Sequence, residues 1–410
     1  MAAAVFRGPF RALASPRFTV YWVAQGISVV ADRAYLVAFA LQLGVVEGRS
    51  DLLALSLAAN GLAFALPMLL LGAVVDRVGP RLGIMAGDVI RFGATLVLAV
   101  AVANGSVAGW LWPVTAALVG LGEAFFYPAF GAAIPLLVSE DRLASANGLR
   151  LGAQYVGSTI GPLLVGVLLA ADRLDVVFWA QALTFLLAAV AAVAIPRSRP
   201  PERRRERRST LRDAAAGIRF VFAQRYLVVA VAVLFVNVLL LDPSRFVFLP
   251  LHAADPDGLG LGAEGFAWLA AAGGLGAIAG SLYWGRRERG PGERVRAFVG
   301  STLLLGVGWA MAGLPWTAPA FIGMAVAGFG IPGANVVLYA ALQARVARAY
   351  LGRTFAVVET ATYIGGPLGF LVAPLLVGRV PPGLVVVLAG VGIAVSGLVA
   401  AVWLRGLDDG

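Results

Sequence analysis

The stretch Gly72-Ala-Val-Val-Asp-Arg-Val-Gly-Pro-Arg81 joins two long apolar runs, 52–75 and 82–103. Each run is long enough to cross about 30 Å of hydrocarbon as an α-helix. Asp76 ends the first run with a charge, and Gly79 allows the tight turn that must follow. The stretch therefore predicts a charged turn between two membrane-spanning helices.

Similar apolar runs recur along the whole chain of 410 residues, of which 60% are hydrophobic and 13% charged. A soluble domain has about 45–50% apolar and about 25% charged residues. A compact interior cannot hold this much apolar surface, so lipid must cover the rest. We predict an all-α integral membrane protein with twelve transmembrane helices. Their ranges are 18–45, 52–75, 82–103, 109–137, 146–170, 176–195, 226–251, 265–285, 297–314, 319–342, 354–378 and 384–404.

The arginines lie mostly on one side of the predicted membrane, and the net charge is +10. With an inside N-terminus, cytoplasmic segments hold 25 arginines, whereas the opposite side holds three, Arg49, Arg173 and Arg379. This asymmetry is the positive-inside pattern, and it predicts that both termini are cytoplasmic. The basic charge therefore reflects topology, which argues against nucleic-acid binding.

Two short patterns repeat between the halves of the chain. Val119-Gly-Leu-Gly122 matches Ala327-Gly-Phe-Gly330, and Ile160-Gly-Pro-Leu163 matches Gly365-Gly-Pro-Leu368. Repeats with glycine- or proline-interrupted helices in equivalent positions are typical of transporters, whose site lies between the repeats near mid-membrane. We therefore predict two pseudo-symmetric bundles of six helices, 1–195 and 226–410.

The segment 196–225 separates the two predicted bundles. Pro196-Arg-Ser-Arg-Pro-Pro201 breaks the sixth helix, and a run of arginines follows. Apolar residues then recur at helical spacing from Leu211 to Phe222, which predicts an amphipathic helix at the cytoplasmic interface. The simpler interpretation is a linker between bundles; the alternative is a regulatory or anionic-lipid-binding role.

A glycine-rich pattern in the eighth predicted helix, Gly274-Leu-Gly276-Ala-Ile-Ala-Gly280, mimics a dinucleotide-binding loop. No strand–helix unit with a ribose-binding acid surrounds it. Small residues that pack one helix against another explain the pattern better.

The stretch 72–81 resembles the G-x-x-x-D-R-x-G-x-R signature of the major facilitator superfamily. The matching residues are Gly72, Asp76, Arg77, Gly79 and Arg81. The resemblance implies the superfamily's two-bundle transporter fold and alternating access. It also implies that Asp76 faces the N-terminus of the eleventh helix, whose positive dipole end attracts it. This contact would form and break as the two halves rock, and we call it the cytoplasmic latch. An ordinary charged turn is the alternative.

The fifth predicted helix is similar to the superfamily's antiporter motif, G-x8-G-x3-G-P-x2-G-G. The matching residues are Gly148, Gly157, Gly161, Pro162 and Gly166, with Val165 in place of one glycine. The motif implies proton-coupled export, whereas a generic small-residue packing face is the alternative.

The region from Phe10 to Leu151 also resembles drug:proton antiporters of the macrolide and enterobactin exporter type. Phe10-Arg-Ala-Leu13, Ala31-Asp32 and Arg142-Leu-Ala-Ser-Ala-Asn147 carry this resemblance. The superfamily's arginine in the fourth helix would fall at Ala116, so the usual route of proton coupling lacks that residue here.

Ionisable residues inside a membrane helix are costly and by default indicate a functional path. Burial favours the neutral form of a carboxylate, whereas a nearby arginine favours the charged form. A proton carrier therefore needs a carboxylate that can alternate between these two environments. We predict proton uptake at Asp32 and Glu123, with static ion pairs to Arg33 or within Asp242–Arg245 as the alternative. The coupling candidates are Asp32, Glu123, Glu359, Asp242, Arg33 and Arg245.

Aromatic and polar residues at mid-helix depth are candidates for a substrate cavity, because aromatic rings contribute contact area with little directional demand. Packing or interfacial anchoring is the alternative for each of them. The candidates are Gln25, Tyr35, Phe126, Tyr127, Gln154, Asn237, Asn335, Tyr339 and Tyr363.

Together these features predict a bacterial inner-membrane transporter, monomeric and without a cofactor, that exports hydrophobic or amphipathic small molecules in exchange for protons. An importer or symporter on the same fold and a lipid transporter remain alternatives. A metal centre is not expected, because the chain has no cysteine and a single histidine, His252. The sequence shows no nucleophile–base cluster and no ATP-binding motif, so we do not expect an enzyme.

Overall fold

The computed structural model describes residues 8–105, 107–139, 142–197, 219, 223–285, 291–345, 358, 360 and 362–404. Within these residues the chain is α-helical, with short 3₁₀ and π-helical turns and no β-strand. The α-helices are α1 Pro16–Leu41, α2 Ser50–Ala65, α3 Met68–Val78, α4 Pro80–Ala103, α5 Leu111–Leu137, α6 Leu143–Ala170, α7 Asp175–Ala191, α8 Arg225–Pro243, α9 Leu249–Ala254, α10 Gly262–Gly285, α11 Pro291–Ala312, α12 Thr317–Arg345, α13 Gly365–Leu376 and α14 Pro382–Trp403.

The chain divides into two compact units. The first consists of Met1–Gln42 and Leu55–Arg205, and the second of Leu43–Ala54 and Glu206–Gly410. The boundary near residue 205 falls within the segment that the sequence predicts as a linker. The predicted amphipathic helix at 211–222 lies outside the described residues, apart from Arg219.

The predicted membrane helices agree with the described part of the chain in most places. Ten helical stretches in it are long and apolar enough to cross a membrane. The two other predicted spans, 52–75 and 354–378, coincide with shorter apolar helices, Ser50–Ala65 and Gly365–Leu376. Most of the residues just before α13 are not described, so the count of twelve stays a prediction for that span.

The second predicted span differs from the expectation because it is not one continuous helix. It breaks after Ala65 and resumes as α3 at Met68. Pro67 lies at this break. A proline lacks the N–H that would donate to the preceding turn, and its ring clashes with that turn's carbonyl group. The proline therefore accounts for the interruption.

Two membrane helices of the described chain are followed by a π-helical turn. In the first half, Gln42–Val46 extends α1, and in the second half, Ser244–Phe248 follows α8. Such turns insert one residue into the helical repeat and re-aim the side chains beyond them. The second turn begins between Asp242 and Arg245, the pair for which the sequence offers a static ion pair as an alternative.

Within each unit, glycines allow helices to touch at backbone distance. A Cβ on Gly87 of α4 would lie 2.5 Å from the carbonyl oxygen of Gly122 on α5. In the second unit, Gly276 and Gly280 of α10 press against the carbonyl groups of Ala325 and Phe329 on α12. The glycine pattern at 274–280 thus packs one helix on another, as the sequence predicts.

The turn between α3 and α4 depends on the conformation of Gly79, whose φ is 90° and ψ is 156°. An L-residue with a side chain is disfavoured there. We expect Gly79→Ala to lower the free energy of unfolding by about 1–2 kcal/mol. The melting temperature of the purified protein measures this. Gly93→Ala in α4, whose added Cβ would meet nothing within 4 Å, is the matched control. Equal melting temperatures for the two variants would contradict the prediction.

Candidate functional site

The first unit contains a cavity between α1, α4, α5 and α6, with about 900 Å³ of empty space including its open mouth. Its walls are largely apolar and aromatic, with several charged groups among them. The lining residues are Phe18, Tyr21, Trp22, Gln25, Gly26, Val29, Asp32, Arg33, Arg91, Glu123, Phe126, Tyr127, Phe130, Ile134, Ala146, Arg150, Ala153 and Gln154.

One face of α1 forms a wall of the cavity, because its lining residues recur every three or four positions. Three of them carry buried polar atoms without a hydrogen-bond partner: Tyr21 Oη, Trp22 Nε1 and Gln25 Nε2. Tyr21 and Gln25 are 2% and 8% exposed. A buried polar group without a partner is costly, so these atoms are available to a ligand.

Asp32 lies at the end of this wall and accepts a hydrogen bond from Nε2 of Gln181 on α7. Among the described residues, no ion pair joins Asp32 to its neighbour Arg33, whose Nε is buried without a partner. The antiporter-motif residue Gly161 lies beside this position, since a Cβ there would be 2.8 Å from Cβ of Arg33. The alternative of a static Asp32–Arg33 pair therefore has no support in this geometry.

Two charged residues of α4, Asp88 and Arg91, form a buried ion pair one helical turn apart. Their side chains are 0% and 5% exposed. The guanidinium of Arg91 lies 4.5 Å from the ring centroid of Phe126 and 4.3 Å from that of Phe185. Arg91, Asp32 and Glu123 line the same cavity.

The sequence reasoning did not single out Asp88 and Arg91, although the signal was present. Both fall inside the third predicted span, 82–103, where any ionisable residue is a candidate. Their separation of three residues also places them on one face of a helix. Gln181, by contrast, reaches Asp32 only through tertiary structure, and no local pattern predicts it.

The cavity collects seven of the predicted site residues, and a set of stacked rings extends its aromatic wall. Phe126 stacks on Phe130 with 5.2 Å between centroids, and Tyr21 contacts Phe130 at 5.9 Å. Tyr35 instead packs against Phe39 and Phe178 away from the cavity lining. The seven are Gln25, Asp32, Arg33, Glu123, Phe126, Tyr127 and Gln154.

The remaining candidates belong to the second unit. Asp242 lies against α13, since a Cβ on Gly366 would be 2.7 Å from its Oδ2. Asn237 is buried and accepts a hydrogen bond from the hydroxyl of Ser396. Arg245 lies over the ring of its neighbour Phe246, and Asn335 and Tyr363 are exposed. Glu359 and the side chain of Tyr339 are outside the described residues.

The two sequence motifs are placed as follows. Gly72 lies in α3 near Pro128 of α5. Arg77 is exposed, and Arg81, the second residue of α4, is half-buried. The side chain of Asp76 and residues 354–357, where the eleventh predicted helix begins, are outside the described part, so the latch stays a prediction. In α6, Gly157 packs on Val29 of α1, and Gly161, Pro162 and Gly166 are buried, whereas a Cβ on Gly148 would meet nothing within 4 Å.

A family model described as Major Facilitator Superfamily matches residues 21–323. The chain belongs to the Major Facilitator Superfamily. It is a multi-pass membrane transporter and not an enzyme, as the apolar helices and the family together establish.

Relatives within the superfamily are distant in sequence but similar in length. The chain is 22% identical over 382 residues to macrolide efflux protein A of Streptococcus pyogenes, covering 89% of this chain and 90% of that protein. It is 26% identical over 347 residues to the enterobactin exporter EntS of Shigella boydii, covering 82% and 80%.

Solved superfamily structures agree with the fold. A crystal structure of the nucleoside transporter NupG matches with a TM-score of 0.74 at 11% identity, covering 95% of this chain and all of that one. The structure of a peptide transporter, POT, matches with a TM-score of 0.70 at 14% identity, covering 94% and 93%. At these identities the likeness concerns the fold alone.

Proposed function

We propose that this superfamily member exports hydrophobic or amphipathic small molecules in exchange for protons. The observation that carries the proposal is the cavity of the first unit, where Asp32 and Glu123 lie among apolar and aromatic walls. A carboxyl group in such a place can be protonated and neutral, or ionised and paired with a positive charge. It cannot be in both states at once. A cavity with this chemistry can couple proton entry to substrate release.

The walls favour a particular kind of substrate. Aromatic rings such as Phe126 and Phe130 contribute large, weakly directional contact area. The unpartnered groups Tyr21 Oη, Trp22 Nε1 and Gln25 Nε2 add hydrogen-bond donors that suit carbonyl or ether oxygens. The names of two relatives, a macrolide efflux protein and an enterobactin exporter, support the same class of amphipathic cargo and the outward direction.

The setting that we propose follows from the arginine distribution and the antiporter motif. The chain lies in the bacterial inner membrane with both termini in the cytoplasm, because the basic segments stay on that side. It acts as a monomer by alternating access, with the cavity exposed to each side in turn. An importer or a lipid transporter on the same fold is the second candidate, and the antiporter-like glycines of α6 disfavour it.

The test is uptake into inside-out membrane vesicles that contain the full chain, with radiolabelled erythromycin, ethidium and enterobactin as probes. We expect at least one probe to accumulate when the vesicle interior is acidified, and a protonophore to abolish this accumulation. A gradient of about one pH unit supports up to about tenfold accumulation if one proton moves per molecule.

Vesicles without the chain are the first control. The second is Arg173→Gln/Asp175→Asn, which removes an exposed ion pair whose side chains are 61% and 35% exposed. Accumulation only in right-side-out vesicles would indicate an importer. Gradient-independent movement of a fluorescent phosphatidylcholine between leaflets would indicate a lipid transporter. Either result would refute proton-coupled export.

A further inference from the structure

Arg91 occupies a central position among the charged groups of the first-unit cavity. Its helix, α4, packs against α5 and α7. At Gly87 and Gly122 the backbones of α4 and α5 touch, and a Cβ on Gly122 would be 2.5 Å from Cγ of Arg91. The stem of Arg91 therefore crosses α5 directly beside Glu123, the next residue along that helix.

Two rings confine the guanidinium without neutralising it. Phe126 on α5 and Phe185 on α7 lie on either side at 4.5 Å and 4.3 Å from their centroids. Aromatic faces attract a cation without fixing its hydrogen-bond partners, which leaves the N–H groups free to choose among nearby acceptors. Arg91 is therefore held in the cavity wall as a permanent charge that can change its hydrogen-bond partner.

The ion pair with Asp88 is incomplete. One nitrogen of Arg91, Nη2, donates to Oδ1 of Asp88, whereas Nε of Arg91 and Oδ2 of Asp88 are buried without a partner. A purely structural buried pair is expected to be bidentate and fully hydrogen-bonded, because the desolvation cost is otherwise not offset. The spare donor can serve a second carboxylate.

Two such carboxylates are near. Asp32 and Glu123 line the same cavity as Arg91, and Glu123 follows Gly122, against which the side chain of Arg91 packs. The other titratable groups that line this cavity, among the described residues, are Tyr21, Arg33, Tyr127 and Arg150.

We infer that Arg91 is the shared cation of the proton site and exchanges partners as that site is protonated. When Asp32 or Glu123 holds a proton, Arg91 binds Asp88. When the proton leaves a carboxylate oxygen for water, Arg91 turns toward the new negative charge, and Asp88 gives up its hydrogen bond. The arginine keeps its own proton throughout, and it acts as a positioning residue. The inference rests on the proposed proton coupling at Asp32 and Glu123.

Infrared difference spectroscopy of the full chain in liposomes tests this without a substrate. The absorption of protonated carboxylic acid is recorded against pH, and the band missing in Asp32→Asn is assigned to Asp32. In Asp88→Asn/Arg91→Gln, which removes both members of the ion pair, Asp32 loses its nearby cation, and we expect the midpoint of this band to rise by about 1–2 pH units.

Asp88→Asn alone should move the midpoint in the opposite direction, because Arg91 then has only Asp32 and Glu123 as acidic partners. This variant keeps the test decisive if the double variant does not fold. The exposed pair variant Arg173→Gln/Asp175→Asn should leave the midpoint unchanged.

Opposite shifts in the two variants would support partner exchange. An Asp32 band present in the wild type but unmoved in both variants would overturn this inference and leave the proposed function intact. A wild-type protein without any Asp32-dependent band would overturn both.

Discussion

Asp32→Asn will abolish proton-driven export while the protein remains folded. Asparagine has nearly the shape of aspartate, and its Oδ1 can still accept the hydrogen bond from Gln181. It cannot take up a proton or carry a negative charge. If Asp32 is the coupling group, substrate and proton no longer compete for it, and we expect the accumulation of up to about tenfold per pH unit to fall to equal probe concentrations on the two sides.

The measurement is probe uptake into inside-out vesicles at a fixed gradient and across a range of pH. Wild-type uptake should increase with the acidity of the vesicle interior, whereas the Asp32→Asn variant should show a flat pH profile. Asp175→Asn, at an exposed ion pair with Arg173, is the matched control and should behave as wild type. Wild-type uptake by the Asp32→Asn variant would show that another group carries the proton.

A second readout separates loss of coupling from loss of binding. Exchange of labelled for unlabelled probe across the membrane without a gradient needs the cavity but no net proton transfer. We expect the Asp32→Asn variant to retain such exchange for neutral probes, because the aromatic wall of Phe126 and Phe130 is unaltered. Loss of exchange as well would instead assign Asp32 to substrate binding.

Most of the fold could be predicted from the sequence because the bilayer imposes simple rules. A helix must supply about 20 apolar residues to cross it, and the arginines stay on one side. Both rules act on local sequence, so ten stretches of the described chain agree with the prediction. The interruption at Pro67 shows where the rule fails, because hydropathy does not register a missing backbone hydrogen bond.

The site was partly predictable for the same reason. A carboxylate in an apolar run, such as Asp32 or Glu123, is conspicuous at once, and both line the cavity. Its partners are not local. Gln181 contacts Asp32 across 149 positions, and Arg91 packs against Gly122, the neighbour of Glu123, through the close approach of α4 and α5. Such contacts depend on helix packing that hydropathy does not encode.

Glycines allow these helices to pack closely against one another. Lipid is as apolar as a leucine side chain, so there is little hydrophobic force between helices, and close van der Waals contact stabilises them instead. Gly87 and Gly122 provide this in the first unit and bring Arg91 to Glu123. The seam between α10 and α12 is the corresponding contact in the second unit.

Gly276→Ala/Gly280→Ala will therefore destabilise the second unit strongly. Each added Cβ would overlap a backbone carbonyl oxygen of α12, that of Ala325 or of Phe329, well inside the 3.0 Å limit of real contacts. A backbone cannot move aside as a flexible side chain can, so α10 and α12 must separate along the seam. We expect a loss of about 2–3 kcal/mol per substitution, which exceeds the gain of up to about 1 kcal/mol that alanine brings to a helix.

The melting temperature of the purified protein in detergent measures this loss, and the double variant should melt well below wild type. Gly300→Ala in α11 of the same unit is the control, since its Cβ would meet nothing within 4 Å. It should melt at or above the wild-type temperature, because only the helical preference of alanine changes. If the double variant has the same melting temperature as the control, α10 and α12 can separate without loss of stability. The close approach of these helices would then not be what stabilises this unit.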